Sequence, residues 1–224
     1  MKNGIGNKKE SYNLIKHGKI LVNDEMIFDP LYDVKPSDMI KYNDFILDPQ
    51  PLVYYMFNKP QGYISANHDK EYPCVLDFFT RKDLSIVGRL DKDATGLLIL
   101  TNDKSIIKKI TLPQNHFSKK YYVEVKNKLT SIDVERCDEG VIIDQNVLCQ
   151  PSLLEIIDDH HCYLTIFEGR YHQVKKMFLS LNNQVIRLKR LKIGEIELDP
   201  YLKEGEYRTL TDKEVSFLKG MSYV

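Results

Sequence analysis

Four consecutive large apolar residues, Leu-Leu-Ile-Leu at 97–100, follow the polar segment 89–93 and precede Asn102 and Asp103. A short apolar run that is bounded by polar turns is typical of a strand in the core of a protein. We therefore predict a buried strand at 97–100 and a second core strand at 86–90. The polar segment then forms a loop between the two strands.

Asp91 lies in this loop, two residues after Arg89. A carboxylate held at the end of a rigid strand beside a guanidinium group can be dry, ionised and fixed in direction, as a nucleophile or general base must be. An Asp that only forms a turn between two strands has the same spacing. The spacing alone leaves both interpretations open.

The N-terminal part, 1–48, is predicted to be a small α/β domain. Its pattern predicts one helix, one hairpin and a last strand, in this order: helix 10–17 ending at Gly18, strand 20–22, turn Asn23-Asp24, strand 26–28 and strand 38–42. Residues 49–52 are predicted to be a linker, because its two prolines are unfavourable both in a helix and in an internal strand.

The C-terminal part, 53–224, alternates strands with a few helices and shows no regular βαβ units. It includes a helix whose apolar stripe is formed by Val174, Met177, Phe178 and Leu181, and a late strand at 193–198. We predict an α+β fold with a mixed, mainly antiparallel central sheet and flanking helices.

Charge is distributed unevenly along a chain that has 32 basic and 32 acidic residues. Proteins that bind nucleic acid normally carry a basic surplus, at least locally. Residues 169–194 contain seven basic residues and no acidic one, and a second basic cluster consists of Lys104, Lys108, Lys109, Lys119 and Lys120. One basic run is usually a solvated face, but two such runs favour a polyanionic partner.

The four cysteines and six histidines lack the spacing of a disulfide framework or a metal site. We therefore predict no metal. No apolar stretch approaches the length of a membrane span, and the N-terminus has no apolar signal region. These features predict a cytoplasmic protein.

Several sequence motifs occur in a fixed order over nearly the whole chain. They are Asn-Lys-Pro-Gln-Gly-Tyr at 58–63, Gly-Arg-Leu-Asp at 88–91, Lys-Lys-Tyr at 119–121, Glu-Gly-Arg-Tyr-His-Gln-Val-Lys-Lys-Met at 168–177, Leu-Lys-Arg-Leu-Lys-Ile-Gly at 188–194 and Gly-Glu-Tyr-Arg-Thr-Leu-Thr at 205–211. This pattern resembles the pseudouridine synthases, in the branch that modifies bacterial ribosomal RNA. The resemblance implies the pseudouridine synthase fold and an isomerase that converts uridine to pseudouridine without a cofactor.

The same resemblance implies roles for individual residues. Asp91 would be the catalytic residue, Tyr121 would stack on the uracil, and Lys175 would be the cation paired with Asp91, with Arg170 or Lys176 as alternatives. Arg89 would contact an RNA phosphate or fill the vacated base stack. Four residues would bind the substrate: Lys59, Arg170, Lys176 and Leu188, the last by closing the uracil pocket.

Residues 1–48 are similar to the S4 RNA-binding module, on the order of their elements and the string Ile-Leu-Val-Asn at 20–23. The resemblance implies RNA contacts by Lys9, Lys16 and Lys19. The first strand and helix of such a module are expected to be missing here. The motifs at 59–63 and 168–175 are most similar to members that act on small-subunit (16S) ribosomal RNA, so we expect that RNA or an assembly intermediate of the small subunit as partner, and a monomeric enzyme.

Three alternatives remain from the sequence. The substrate would be 23S ribosomal RNA in the first, and the protein would be a non-catalytic S4-type RNA-binding protein in the second. The third is a hydrolase with general acid–base catalysis, which needs a second carboxylate. Asp93 is the nearby candidate, although its position favours a turn.

Overall fold

A computed structural model describes residues 5–35, 38–47, 52–81, 83–111 and 117–220. The chain divides into two compact units, Met1–Leu52 and Val53–Val224. Most of the predicted linker, 49–51, lies outside the described residues. Among the described residues, no helix is long and apolar enough to cross a membrane.

The first unit contains one helix and a small sheet. Helix α1, Lys8–Lys16, begins at the capping box of Asn7 and Glu10. Four antiparallel strands follow in the spatial order β2-β1-β3-β4: β1 Ile20–Val22, β2 Glu25–Ile27, β3 Ile40–Tyr42 and β4 Phe45–Leu47. The prediction that 38–42 holds the last strand was wrong, because β4 follows it.

The missed strand has a clear local cause. Both hairpins turn through an Asn-Asp pair with positive φ, Asn23-Asp24 and Asn43-Asp44. Such pairs tolerate the left-handed backbone that two-residue hairpin turns require. The second pair was therefore a readable signal for β4.

The second unit begins with a strand and a 3₁₀ turn and continues with strands and helices in alternation. Its elements are β5 Tyr54–Lys59, the 3₁₀ turn Val75–Phe78, β6 Ser85–Val87, β7 Thr95–Thr101, α2 Lys104–Thr111, β8 Lys119–Val125, α3 Ser131–Glu139, β9 Ile142–Ile143, β10 Val147–Leu148, β11 Leu153–Ile156, β12 His161–Ile166, α4 Gln173–Ser180, β13 Val185–Ile193, β14 Ile196–Glu197, β15 Tyr207–Thr209 and α5 Asp212–Lys219.

A nine-stranded sheet organises this unit. Its order is β11-β12-β8-β13-β7-β5-β15, with β14 beside β13 and β6 beside β7, while β9 and β10 form a separate hairpin. Among the described strands of this sheet, the β13–β7 pair is parallel and the other pairs are antiparallel. The predicted α+β class with a mixed, mainly antiparallel sheet is confirmed.

Strand β7 lies at the centre of the core, as predicted, and every residue in it is buried. Leu97 and Ile99 pack on the side of α2 and α5, whereas Leu98 and Leu100 pack on the side of the 3₁₀ turn. Gly96 is required here, because a Cβ at this position would lie 2.3 Å from the Arg190 carbonyl oxygen. Its φ of +100° also favours glycine.

The predicted strand at 193–198 was wrong. The long strand β13 ends at Ile193, Gly194 turns the chain with a φ of +56°, and β14 returns antiparallel to β13. The basic residues of β13 obscured its apolar alternation in the sequence. The predicted strand at 86–90 is shorter, Ser85–Val87.

Candidate active site

A cavity of about 800 Å³ opens beside the loop that joins β6 to β7. The loop contributes Arg89 and Asp91 to its wall, and the strands β8 and β13 contribute Tyr121 and Leu188. Arg170, from the segment before α4, also lines it. The structure thus brings five of the residues predicted for the site into one cavity.

Asp91 is held between two side chains near the start of α4. The Lys175 Nζ lies 3.1 Å from Asp91 Oδ2, and the His172 Nε2 lies 3.4 Å from Asp91 Oδ1. The Asp91 side chain keeps 24% of its surface exposed, so a substrate in the cavity can reach it. Lys175 does not line the cavity, and its link to the cavity is the ion pair with Asp91.

Lys175 is shared between two carboxylates, since its Nζ also lies 2.5 Å from Asp93 Oδ1. Burial favours a lower pKa for the Lys175 ammonium, but the hydrogen bonds to Asp93 and Asp91 outweigh it and raise its pKa above the ordinary value. Lys175 therefore stays positively charged at neutral pH. Asp93, interpreted from sequence as a turn former, also pairs with the cation next to Asp91.

Buried side chains hold the backbone of the Asp91 loop through hydrogen bonds. The Lys59 ammonium donates to the carbonyl oxygens of Pro60, Lys92 and Ala94 at 3.0, 3.3 and 2.8 Å. Ser65 Oγ donates to the Leu90 carbonyl and accepts from the Leu90 N–H, and Arg190 Nη1 donates to the Arg89 carbonyl. These contacts fix the direction in which Asp91 points.

The N-terminal end of α4 is organised by the buried carboxylate of Glu168. Its Oε1 accepts from the Gln150 N–H and from Gln173 Nε2, and its Oε2 accepts from Arg170 Nε at 2.9 Å. His172 adopts a left-handed backbone with φ +52°, which is uncommon for a residue with a side chain. This conformation places its imidazole against Asp91.

Tyr121 and Leu188 form an apolar side of the cavity. Tyr121 is 6% exposed and pairs with Leu164 of β12 and Arg190 of β13 across the sheet. Leu188 is 7% exposed and belongs to the same core cluster. A flat, apolar face of this kind suits a planar base.

Lys119 was not assigned to the site from sequence, although it begins the Lys-Lys-Tyr motif. Lys119 lines the cavity, and its ammonium donates to the carbonyl oxygens of Phe117 and Glu168. Burial, supported by the charge of Arg190, lowers the pKa of Lys119 to about 8. His172 and Glu168 were also left unassigned, and their place in the motif at 168–177 was the available signal.

Two residues expected to bind substrate do not line the cavity. Lys59 is fully buried under the loop, with its ammonium bound to three carbonyls. Burial lowers the pKa of Lys59 to about 8, although the charges of Asp93 and Asp91 oppose the shift. Lys176 does not line the cavity, and its Nζ lies 2.6 Å from Asp144 Oδ2. Lys59 supports the loop, and Lys176 faces the surface.

The predicted RNA contacts of the first unit, Lys9, Lys16 and Lys19, are all exposed. In the described part of the chain, no group of three or more His, Cys, Asp or Glu side chains could hold a metal ion.

The cavity offers a fixed carboxylate with a paired cation, beside an aromatic ring. This set can add to an electrophilic carbon or remove a proton from a bound planar substrate.

An α+β fold with a fixed carboxylate beside an aromatic ring in a cavity suits an enzyme that acts on a planar substrate. The chain belongs to the RNA pseudouridylate synthase family, whose model matches residues 53–180. It is 38% identical over 216 residues to "Ribosomal small subunit pseudouridine synthase A" of Haemophilus influenzae, covering 94% of this chain and 93% of that protein. It is also 36% identical over 225 residues to "Uncharacterized RNA pseudouridine synthase YtzG" of Bacillus subtilis, covering 96% and 94% of the two chains.

A solved structure agrees with these relatives. The "Crystal structure of pseudouridylate synthase" superposes with a TM-score of 0.72 at 36% identity, over 97% of this chain and 96% of that chain. The predicted family, its fold and its enzymatic nature as a pseudouridine synthase are confirmed.

Proposed function

We propose that this protein converts a specific uridine of 16S ribosomal RNA to pseudouridine, with Asp91 as the catalytic residue. The observation that carries the proposal is the pairing of Asp91 with Lys175 at 3.1 Å at the wall of the cavity. The choice of RNA is supported by the relatives named "Ribosomal small subunit pseudouridine synthase A". Action on ribosomal RNA would place the protein in the cytoplasm.

The reaction breaks the bond between N1 of uracil and C1′ of ribose, turns the base and forms a bond from C5 to C1′. N1 gains a proton and C5 loses one, so the atoms balance without an oxidant or reductant. The glycosidic bond is hidden in a stacked helix, and the uridine therefore has to be flipped into the cavity. Asp91 either attacks the sugar or removes a proton from it, and both routes use its ionised form.

The other residues of the cavity then have distinct parts. Tyr121 stacks on the uracil, and Leu188 closes the pocket around it. Arg89, which is exposed at the cavity, contacts a phosphate or fills the space that the flipped base leaves. Arg170 contributes a further positive charge at the wall.

The first unit is proposed to be an S4-like RNA-binding module that uses Lys9, Lys16 and Lys19. These exposed lysines would bind phosphates and add affinity without reading sequence. We also propose that the enzyme acts as a monomer.

The substrate is tested by release of tritium from RNA labelled at C5 of uridine. Transcripts of 16S and 23S ribosomal RNA and small-subunit assembly particles are each incubated with the protein. We expect release of one tritium equivalent from 16S RNA or its particle, and none from 23S RNA. Release from 23S RNA alone would refute the 16S assignment, and silence on every RNA would favour a non-catalytic RNA-binding protein.

The stacking role of Tyr121 is tested with two substitutions. Tyr121→Phe keeps the ring and should retain most of the activity. Tyr121→Ala removes the stacking surface, which is worth about 1–3 kcal/mol per base, and should lower kcat/KM by about 10-fold or more. Equal activities of the two variants in the tritium assay would remove this role.

A further inference from the structure

Two exposed tyrosines border the same cavity, and catalysis on a single nucleotide does not use them. Tyr72 is 44% exposed and Tyr171 is 70% exposed, and both line the cavity together with Asp91. Side chains that line a cavity and also face solvent lie at its mouth. Their rings therefore lie where the cavity opens to solvent.

Tyr72 is fixed relative to the Asp91 loop. The Lys92 Nζ lies 3.6 Å from the centroid of the Tyr72 ring, and Lys92 directly follows Asp91. The segment that carries Tyr72 is attached to the same loop through the two hydrogen bonds between Ser65 and Leu90. Within the described residues Lys92 pairs with no carboxylate, so its charge can meet a phosphate next to the ring.

Tyr171 is fixed on the side of α4. Its ring stacks on the His172 imidazole with a centroid distance of 3.8 Å and an angle of 20°, and His172 in turn contacts Asp91. The Lys176 Nζ lies 5.4 Å from the centroid of the Tyr171 ring. An exposed aromatic ring that is oriented before binding loses little conformational entropy when a base stacks on it.

We propose that Tyr72 and Tyr171 are stacking platforms for the two unpaired nucleotides that flank the target uridine. When a uridine is flipped out, its neighbours lose a stacking partner, and bases of single-stranded RNA stack readily on tyrosine rings. Tyr171 directly precedes His172, which contacts Asp91, and Tyr72 contacts Lys92, which directly follows Asp91, so each platform is adjacent to the uridine site. The inference rests on the proposed function in one respect, since it takes the ligand to be RNA with a uridine in the cavity.

The test uses a pentaribonucleotide with one central uridine flanked by cytidines. In two versions, 2-aminopurine replaces the neighbour on the 5′ side or on the 3′ side, because stacking quenches its fluorescence. UMP serves as the probe that fills the uridine site without neighbours. The variants are Tyr72→Leu and Tyr171→Leu, with Tyr201→Leu as the matched control, since Tyr201 is 90% exposed and does not line the cavity.

Each cavity variant should abolish quenching at one of the two positions, and the two variants should affect opposite positions. Each should weaken binding of the pentanucleotide by about 5-fold or more and change UMP binding by less than about 2-fold. Tyr72→Phe and Tyr171→Phe should restore both signals, because phenylalanine keeps the stacking face.

The proposal is overturned if the Leu variants match Tyr201→Leu, if they weaken UMP as strongly as the pentanucleotide, or if the wild-type protein does not bind the pentanucleotide. Failure of the proposed function gives a different result. In that case position-specific quenching persists while tritium release from 16S RNA is absent. If tritium release is intact and the Leu variants still quench 2-aminopurine as the wild type does, the proposed function is retained and the two stacking platforms are excluded.

Discussion

At the scale of single residues, the Lys175 ammonium pairs with two carboxylates. Lys175 lies between Asp91 and Asp93, and the contact to Asp93 is the shorter of the two. Burial favours a higher pKa for Asp93, but the hydrogen bond and charge of Lys175 outweigh it and lower its pKa. Asp93 therefore stays ionised and anchors Lys175 beside Asp91. Exposed ion pairs contribute little to stability, so this arrangement is better explained by the need to orient a charge.

Lys175→Met should remove the cation from both carboxylates. We expect kcat in the tritium assay to fall by about 10²-fold, a typical effect of losing one aimed electrostatic contact in an active site. Lys175→Arg retains a positive charge and should lose less. If the Met variant keeps the wild-type kcat, Lys175 has no part in the reaction.

At the scale of elements, the Asp91 loop is fixed by side chains from three other segments. Lys59 at the end of β5, Ser65 after it and Arg190 on β13 all bond to backbone atoms of residues 89–94. Leu90 and Ala94 of the loop are themselves buried in the core. The intervening Asp91 is consequently presented to the cavity with little freedom to move.

The buried lysine under the loop gives a prediction about stability and pH. The pKa of Lys59 is about 8 in the folded protein and ordinarily 10.5, so the unfolded chain binds more protons between these values. The contribution of Lys59 to the free energy of unfolding must then rise with pH from about 8 to 10, by at most about 1.4 kcal/mol per pH unit.

Denaturant unfolding of the wild type and Lys59→Met at several pH values measures this effect as a difference. The wild type should gain stability relative to the variant as pH rises. Lys203→Met, at an exposed lysine, controls for the loss of one positive charge. A difference that is constant or falls with pH would show that Lys59 is not a buried cation in solution.

Local patterns were sufficient for some elements and insufficient for others. The apolar run of β7 and the apolar stripe of α4 identified both elements, because their burial follows directly from their sequence periodicity. Strand β13 was missed because Lys189 and Lys192 lie among its apolar residues. Its pairing with β8 and β7 is decided by contacts between residues far apart in the chain.

The residues of the site also divide into those whose location the local sequence predicted correctly and those whose location it did not. Asp91, Tyr121 and Leu188 were indicated by motifs and lie together in the cavity. Lys59 belongs to a motif as well, yet its ammonium is buried under the loop, and nothing in the local sequence shows that direction. The contact of His172 with Asp91 depends on a left-handed backbone at the start of α4. A histidine in the sequence does not predict this backbone conformation.

At the scale of the whole molecule, we propose that RNA affinity and the chemical step come from different units. The cavity lies in the unit Val53–Val224, and the exposed Lys9, Lys16 and Lys19 lie in Met1–Leu52. The chain has no net charge, so local basic surfaces have to supply the attraction to RNA. Contacts to phosphates from the first unit would raise affinity without changing the chemical step.

Replacing Lys9, Lys16 and Lys19 together with Gln should weaken binding of 16S RNA. The slope of log affinity against log salt should become shallower by about 2, because three phosphate contacts are lost. The kcat at saturating RNA should remain near that of the wild type. Binding titrations at several salt concentrations measure the slope, and an unchanged slope would show that the first unit does not bind the RNA through these lysines.

The central claim, that Asp91 performs the reaction, is tested most directly by comparing Asp91→Asn with Asp93→Asn. Both changes remove one carboxylate charge from the same loop and keep the shape of the side chain. Single-turnover tritium release from 16S RNA and RNA affinity are measured for each. We expect Asp91→Asn to bind RNA normally and to release tritium at least about 10³-fold more slowly, whereas Asp93→Asn should keep substantial activity. Turnover by Asp91→Asn, or equal losses in the two variants, would contradict this account.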